Sequence, residues 1–252
     1  MIDAMSAQYR YKIILSYDGT RYAGWQIQPR SKTIQGEIEQ AILTLSGERV
    51  RVHASGRTDR GVHAKAQVAH FDLKKKVPIQ QFKGGLNALL EFDIRITLLS
   101  TISPDFHARF DAKTKEYRYQ IWNDETVPPF VKRYRNHVRK HLDAEAMNQA
   151  AKLLMGKKDF ASFSANPNCE VDGTVRHLSK LAVKKHGCEI VISAVGNGFL
   201  YKMVRSLAGF LICVGMGEQF SQDAKDLLRS KTRTAQVPTA PPEGLFLWKV
   251  GY

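Results

Sequence analysis

Hydrophobic and polar positions change their spacing along the chain in a regular succession. Residues 11–17 (YKIILSY) are apolar and β-rich and stop at the turn dipeptide Asp18-Gly19, which predicts a strand. From Thr33 the period lengthens. Ile34, Ile38, Ala41, Ile42 and Leu45 fall three or four apart on one helical face, and Gly47 stands where helices commonly end. Residues 50–55 and 65–73 read as strands, separated by the charged, glycine-bearing segment 56–61. Pro78 opens a helix carrying Ile79, Phe82, Leu86 and Leu89, and 94–100 is again a strand. The order is β-α-β-β-α-β.

The second half repeats that order. Residues 115–122 alternate, with Tyr117, Tyr119 and Ile121 on one side and Glu116, Arg118 and Gln120 on the other. Asp143 suits an N-cap for a helix with Met147, Ala150, Ala151 and Leu154 on one face, ended by Gly156. Strands at 178–185 and 188–195 flank His186-Gly187, a two-residue hairpin turn. Leu200, Met203, Val204, Leu207 and Leu211 form a helical stripe, a short helix starts near Ser221, and 245–250 is the last strand. Two such units predict an α+β fold of two ferredoxin-like halves, each an antiparallel sheet with helices on one face. The expected division is a loose leader at 1–8, an N-terminal domain over 9–107 and a C-terminal domain over 108–252.

Composition sharpens the picture at two points. The 252 residues hold 38 Lys+Arg against 24 Asp+Glu, a formal charge of +14 that favours a polyanionic partner. The three cysteines, Cys169, Cys188 and Cys213, form no C-x-x-C pair and no disulfide framework, which fits a reducing cytosol. No apolar stretch reaches the roughly 20 residues of a membrane-spanning helix, and the N-terminus has no secretory h-region.

The densest polar cluster is Ser55-Gly-Arg57-Thr-Asp59-Arg60-Gly-Val-His63. One carboxylate stands between two guanidiniums, whose charge favours its ionised form, and an ionised carboxylate is a competent nucleophile or base. In an arbitrary protein such a cluster is an ordinary surface turn; no other loop here concentrates Gly, Arg and Asp so tightly. Tyr117 and Tyr119 are core residues by default, the other option being that one stacks on an unstacked base. Arg205 interrupts an apolar helix and must either snorkel to water or pair with a carboxylate, for which Asp59 is a candidate. The run 132–140 places five Lys/Arg in nine residues around Tyr134, and Lys74–Lys76 and Arg229, Lys231 and Arg233 add further cations suited to phosphates. His137 and His141 could chelate a metal only if helical, and their cationic surroundings oppose it. No Walker, dinucleotide, H-E-x-x-H or G-x-S-x-G motif occurs.

Four ordered blocks resemble the TruA-type tRNA pseudouridine synthases: YDGTRYAGWQ at 17–26, GRTDRGVHA at 56–64, KEYRY at 115–119 and NGFLYKMVRS at 197–206. The resemblance runs over about residues 11–252. It implies an isomerase acting on uridines 38, 39 and 40 of the tRNA anticodon arm, in the cytoplasm, as a homodimer, with tRNA as partner and with no DNA, cofactor or metal. By the same resemblance Asp59 is the catalytic nucleophile, Tyr117 packs on the target base, Arg205 pairs with Asp59, and Arg57 holds the flipped nucleotide open. Attack at C1′, attack at C6 and removal of the ribose 2′ proton all remain open to Asp59. The rival readings are a non-catalytic RNA-binding protein with two recognition-motif-like halves and, more weakly, a glycoside hydrolase lacking an evident second carboxylate.

Overall fold

Alternation in the first apolar run builds strand β1 (Tyr9–Tyr17), where Tyr11, Ile13, Leu15 and Tyr17 are buried and the residues between them are part-exposed. The computed structural model describes residues 8–169 and 173–252, so the expected leader lies outside the described residues except for Gln8. These residues divide into two compact units, Met1–Lys113 with Leu247–Tyr252, and Thr114–Phe246.

In the first unit, helix α1 (Ile34–Ser46) starts where the Thr33 hydroxyl accepts the Gly36 N–H at 3.3 Å and ends at Gly47, left-handed at φ 72°. Ile34, Ile38, Ala41 and Ile42 are buried as their spacing requires, whereas Leu45 is 40% exposed. Strand β2 (His53–Ala54) is only two residues long, shorter than its apolar pattern suggests. The cause lies in α1: Glu39 takes the Val52 N–H at 2.8 Å and Gln35 donates to the Val52 carbonyl at 3.3 Å, so that residue's backbone is satisfied from the helix. Strand β3 (His63–Leu73), helix α2 (Ile79–Leu89) and strand β4 (Ile94–Thr101) complete the series, with Phe82 and Leu86 buried and Leu89 facing out. The strands lie in the order β4-β1-β3, with β2 on β3, and every one of these pairings is antiparallel.

The second unit begins with strand β5 (Thr114–Trp122), a short helix α3 (Pro129–Lys132) and a two-residue strand β6 (Asn136–His137) parallel to β5. Helix α4 (Ala144–Leu154) is capped by Asp143, which accepts the N–H groups of Glu145 and Ala146 at 2.9 and 3.0 Å. Strand β7 (Gly156–Asp159) carries no hydrophobic pattern and exists by pairing with β8 (Val175–His186). Strand β9 (Glu189–Gly196) follows, in the antiparallel order β5-β9-β8-β7. His186 pairs with Glu189, so the hairpin loop is Gly187-Cys188, one residue later than its sequence suggests, with Gly187 at φ 59°.

Helix α5 (Met203–Gly215) is buried on nearly every side, Arg205 and Cys213 being the residues less than buried. A Cβ on Gly209 would stand 2.0 Å from the Pro238 carbonyl, which is why the chain can cross the helix there. Helix α6 (Asp223–Ser230) and strand β10 (Leu245–Gly251) close the chain, β10 running beside β3. Among the described residues no helix is long and apolar enough to cross a membrane.

Candidate active site

The Asp59 loop is held from both ends by groups that the apolar pattern does not single out. At its start the buried Gln67 amide accepts the Ser55 hydroxyl at 2.7 Å and donates to the Gly56 carbonyl at 2.8 Å. In the middle, the Trp25 N–H donates to the Thr58 carbonyl at 3.0 Å, and the Tyr17 and Thr58 hydroxyls lie 2.9 Å apart. Burial pushes the Tyr17 phenol up to about 12, so this contact joins two neutral hydroxyls. At its end, the Val62 N–H donates to the Asp59 carbonyl at 3.1 Å, closing a turn that needs Gly61 at φ 76°.

Two glycines of the 17–26 block let this loop settle onto its support. Gly24 has φ 105°, and a Cβ there would lie 2.6 Å from the Thr58 carbonyl and 3.1 Å from the Arg60 nitrogen. A Cβ on Gly19 would fall 2.0 Å from the Val62 carbonyl. The next residue along, His63, is buried and accepts the Gly19 N–H at Nδ1 over 3.0 Å, with Asp18 at 3.2 Å. The outcome is a clamped backbone from which Asp59 projects half-buried, with Arg57 and Arg60 exposed to either side. A carboxylate so placed is preorganised and accessible, the combination that a nucleophile or base requires.

In the second unit the two tyrosines of β5 part company. Tyr119 is fully buried and its hydroxyl donates to the Pro241 carbonyl at 2.9 Å, a core tyrosine with its polar end satisfied. Tyr117 is buried to 8% exposure and meets Phe199 edge-on, with ring centroids 5.1 Å apart. On the other side of β5, Arg118 pairs with Glu116 at 2.7 Å and Gln120 is buried. Arg205 is half-buried on α5, and its Nε donates to the Ala240 carbonyl at 2.7 Å while the Ala240 N–H returns to the Arg205 carbonyl at 3.0 Å. A backbone carbonyl thus holds one edge of the guanidinium. Arg205 and Tyr119 grip consecutive carbonyls, Ala240 and Pro241.

The same segment draws in Arg233, whose guanidinium donates to the Ser206 hydroxyl at 2.8 Å, the Val237 carbonyl at 2.8 Å and the Thr239 hydroxyl at 2.7 Å. Arg233 is therefore an internal brace, with both terminal nitrogens of its guanidinium engaged. The basic run is similarly thinned, since Arg135 pairs with Glu189 and Lys140 with Glu218 at 3.0 and 3.1 Å. His137 lies in β6 with Nε2 on the Asp124 carbonyl at 2.9 Å, which removes the helical spacing that chelation with His141 needs. Lys202, just before α5, takes a left-handed φ of 57°, a strained setting for a lysine. Its ammonium lies 5.0 Å from the centre of the half-exposed Tyr201 ring.

Known proteins match this chain along its length. A family model described as tRNA pseudouridine synthase fits residues 13–111 and 150–252. The chain belongs to the tRNA pseudouridine synthase family. Proteins named tRNA pseudouridine synthase A are 43% identical in Brevibacillus brevis over 243 residues, covering 96% of this chain and 99% of that one. In Anoxybacillus flavithermus the identity is 43% over 244 residues (96% and 98%), and in Geotalea uraniireducens 45% over 241 residues (96% and 98%). Likeness to a chain from the crystal structure of a Cbf5-Nop10-Gar1 complex is far weaker. Identity there is 12% and the TM-score 0.34 over 80% of this chain and 54% of that one, which carries no weight. The matched tRNA pseudouridine synthase segments contain the Asp59 loop and Arg205, while Tyr117 and the run 132–140 fall between them. As a member of an isomerase family, the chain is an enzyme.

Proposed function

We propose that this protein isomerises uridine to pseudouridine at positions 38, 39 and 40 in the anticodon stem and loop of tRNA, in the cytoplasm, as a homodimer and without cofactor or metal. The observation that carries the reading is identity of about 43% to proteins named tRNA pseudouridine synthase A, sustained over 96% of the chain. Each unit is read as a ferredoxin-like half. The antiparallel neighbours β4-β1-β3 with β2 beyond them support this for the first.

The reaction breaks the N1–C1′ bond, turns the uracil while it is held, and joins C5 to C1′. C5 gives up its proton and N1 gains one, so the product is an isomer and nothing is consumed. Asp59 is the nucleophile of this scheme. Positive charge grows on the sugar as the glycosidic bond opens, and a nearby carboxylate stabilises or traps it. Its clamped loop supports that role. The target base must first leave its stack. Tyr117, packed edge-on against Phe199, replaces the lost stacking, Arg205 pairs with the carboxylate, and Arg57 holds the everted nucleotide open.

The test is to incubate unmodified tRNA with the purified protein alone and map every pseudouridine. Product confined to positions 38–40 is expected. Product elsewhere contradicts the site assignment, and no product contradicts the activity.

A further inference from the structure

A second polar site lies in the first unit, towards the far end of β3 from the Asp59 loop. It is a cavity of about 360 Å³ whose walls include Arg10, Arg49, Arg51, His53, His70 and His107. His70 stands seven residues along β3 from His63, about 23 Å at the usual strand rise. Register sets Arg10 opposite Asp72 and His53 opposite His70, on the sheet face turned away from Tyr11 and Phe71.

The three imidazoles pack on one another, with centroids 5.1 Å apart for His53–His70, 4.8 Å for His70–His107 and 5.7 Å for His53–His107. Backbone groups fix two of the tautomers. His70 accepts the Ala108 N–H at Nδ1 over 3.2 Å, and His107 accepts those of Arg109 and Phe110 at 3.1 and 3.3 Å. A ring that accepts at Nδ1 is neutral and carries its proton at Nε2, so both offer an N–H donor. Burial, reinforced by neighbouring cations, holds all three rings below the ordinary imidazole range, His70 at about 4.

Arg10 is committed to Asp72 through two contacts of 2.7 Å. Arg49 and Arg51 are exposed and make no ion pair among the described residues. Counting Lys74 and Glu48, four cations line the cavity against two carboxylates. The rings meet by face and edge, and no three His, Cys, Asp or Glu among the described residues are disposed to hold a metal. Guanidinium charge with directional N–H donors instead suits an anion rich in acceptor oxygens. We propose that this cavity seats a phosphate group of the RNA backbone, a contact remote from the Asp59 loop. That source for the phosphate rests on the reading of tRNA as substrate.

The test is the full-length protein carrying Arg49→Ala and Arg51→Ala together, with Arg51→Gln alone as a milder second variant. Affinity for unmodified tRNA is measured across ionic strength, and inorganic phosphate is titrated while the histidine ring C–H signals are followed by NMR. The double variant is expected to bind tRNA about tenfold more weakly near ~0.15 M salt, with the slope of log K on log salt shallower by about 1–2. Inorganic phosphate is expected to move the ring signals only weakly. Unchanged tRNA affinity and slope in both variants would overturn the proposal. Saturable phosphate binding alongside unchanged tRNA affinity would equally do so, assigning the cavity to a free anion. Pseudouridine formation by the wild type, assayed in parallel, separates the two readings: tRNA binding through the cavity without product would remove the catalytic scheme and leave this one standing.

Discussion

The two units hold their candidate catalytic groups by opposite means. In the first, Asp59 sits on an irregular loop made rigid from outside, through backbone hydrogen bonds at Thr58 and Gly56 and through the missing side chains of Gly24 and Gly19. In the second, Tyr117 and Arg205 sit on a regular strand and helix whose own packing orients them. A loop fixed by close backbone approach tolerates almost no added volume, whereas a strand or helix position tolerates shape-conserving change. The difference teaches where damage should be largest.

Gly24→Ala should be among the most harmful changes short of removing the carboxylate itself. The new methyl would collide with the Thr58 carbonyl at 2.6 Å in a left-handed backbone, forcing the loop to move. A shift of about 1 Å in a catalytic group costs on the order of 100-fold. A single-turnover pseudouridine assay should show that loss, with tRNA affinity within a few-fold of wild type. A rate within threefold would mean that the loop does not position the chemistry.

Tyr117 and Tyr119 provide the next contrast. Tyr117→Ala should slow turnover about 10–100-fold, the worth of one lost base stack, while Tyr117→Phe stays near wild type. Tyr119→Phe should leave the rate unchanged and lower unfolding stability by about 1 kcal/mol, the value of its bond to the Pro241 carbonyl. Equal rate losses in Tyr117→Ala and Tyr119→Phe would erase the distinction.

Smaller effects probe the braces. Arg233→Met should destabilise the fold by about 1–3 kcal/mol in chemical denaturation, because the Ser206, Val237 and Thr239 acceptors lose their donor. The phosphate reading of Arg233 would instead move only RNA affinity. A separate expectation concerns pH. His70 titrates at about 4 in the folded protein and near 6.5 when unfolded, so in that window the unfolded chain binds a proton that the native state does not. Stability should be complete above about pH 6.5 and decline as pH falls towards 4, and His70→Asn should reduce that decline without abolishing it, because His53 and His107 are lowered in the same direction. Asp72, lowered by its bond to Arg10, acts only at more acidic pH.

Elements whose ends are set by local chemistry are legible in the sequence, as Gly47 and Asp143 show for α1 and α4. Elements decided by distant partners are not. β2 is cut short by Glu39 and Gln35, and β7 forms from a lysine-rich segment because β8 offers an edge. The Asp59 loop stood out because glycine, arginine and aspartate crowd together in it. Its dependence on Gly24 did not, since that contact joins positions 34 residues apart. Nor could alternation separate Tyr117 from Tyr119, which share a strand face. The carbonyl partner of Arg205 leaves no mark in sequence at all, because any residue supplies a carbonyl.

The most direct measurement is to compare wild type with Asp59→Ala on the same unmodified tRNA, following pseudouridine formation and tRNA binding side by side. Product should vanish in the variant while affinity stays nearly intact. Product formed at the wild-type rate would show that this carboxylate takes no part in the chemistry.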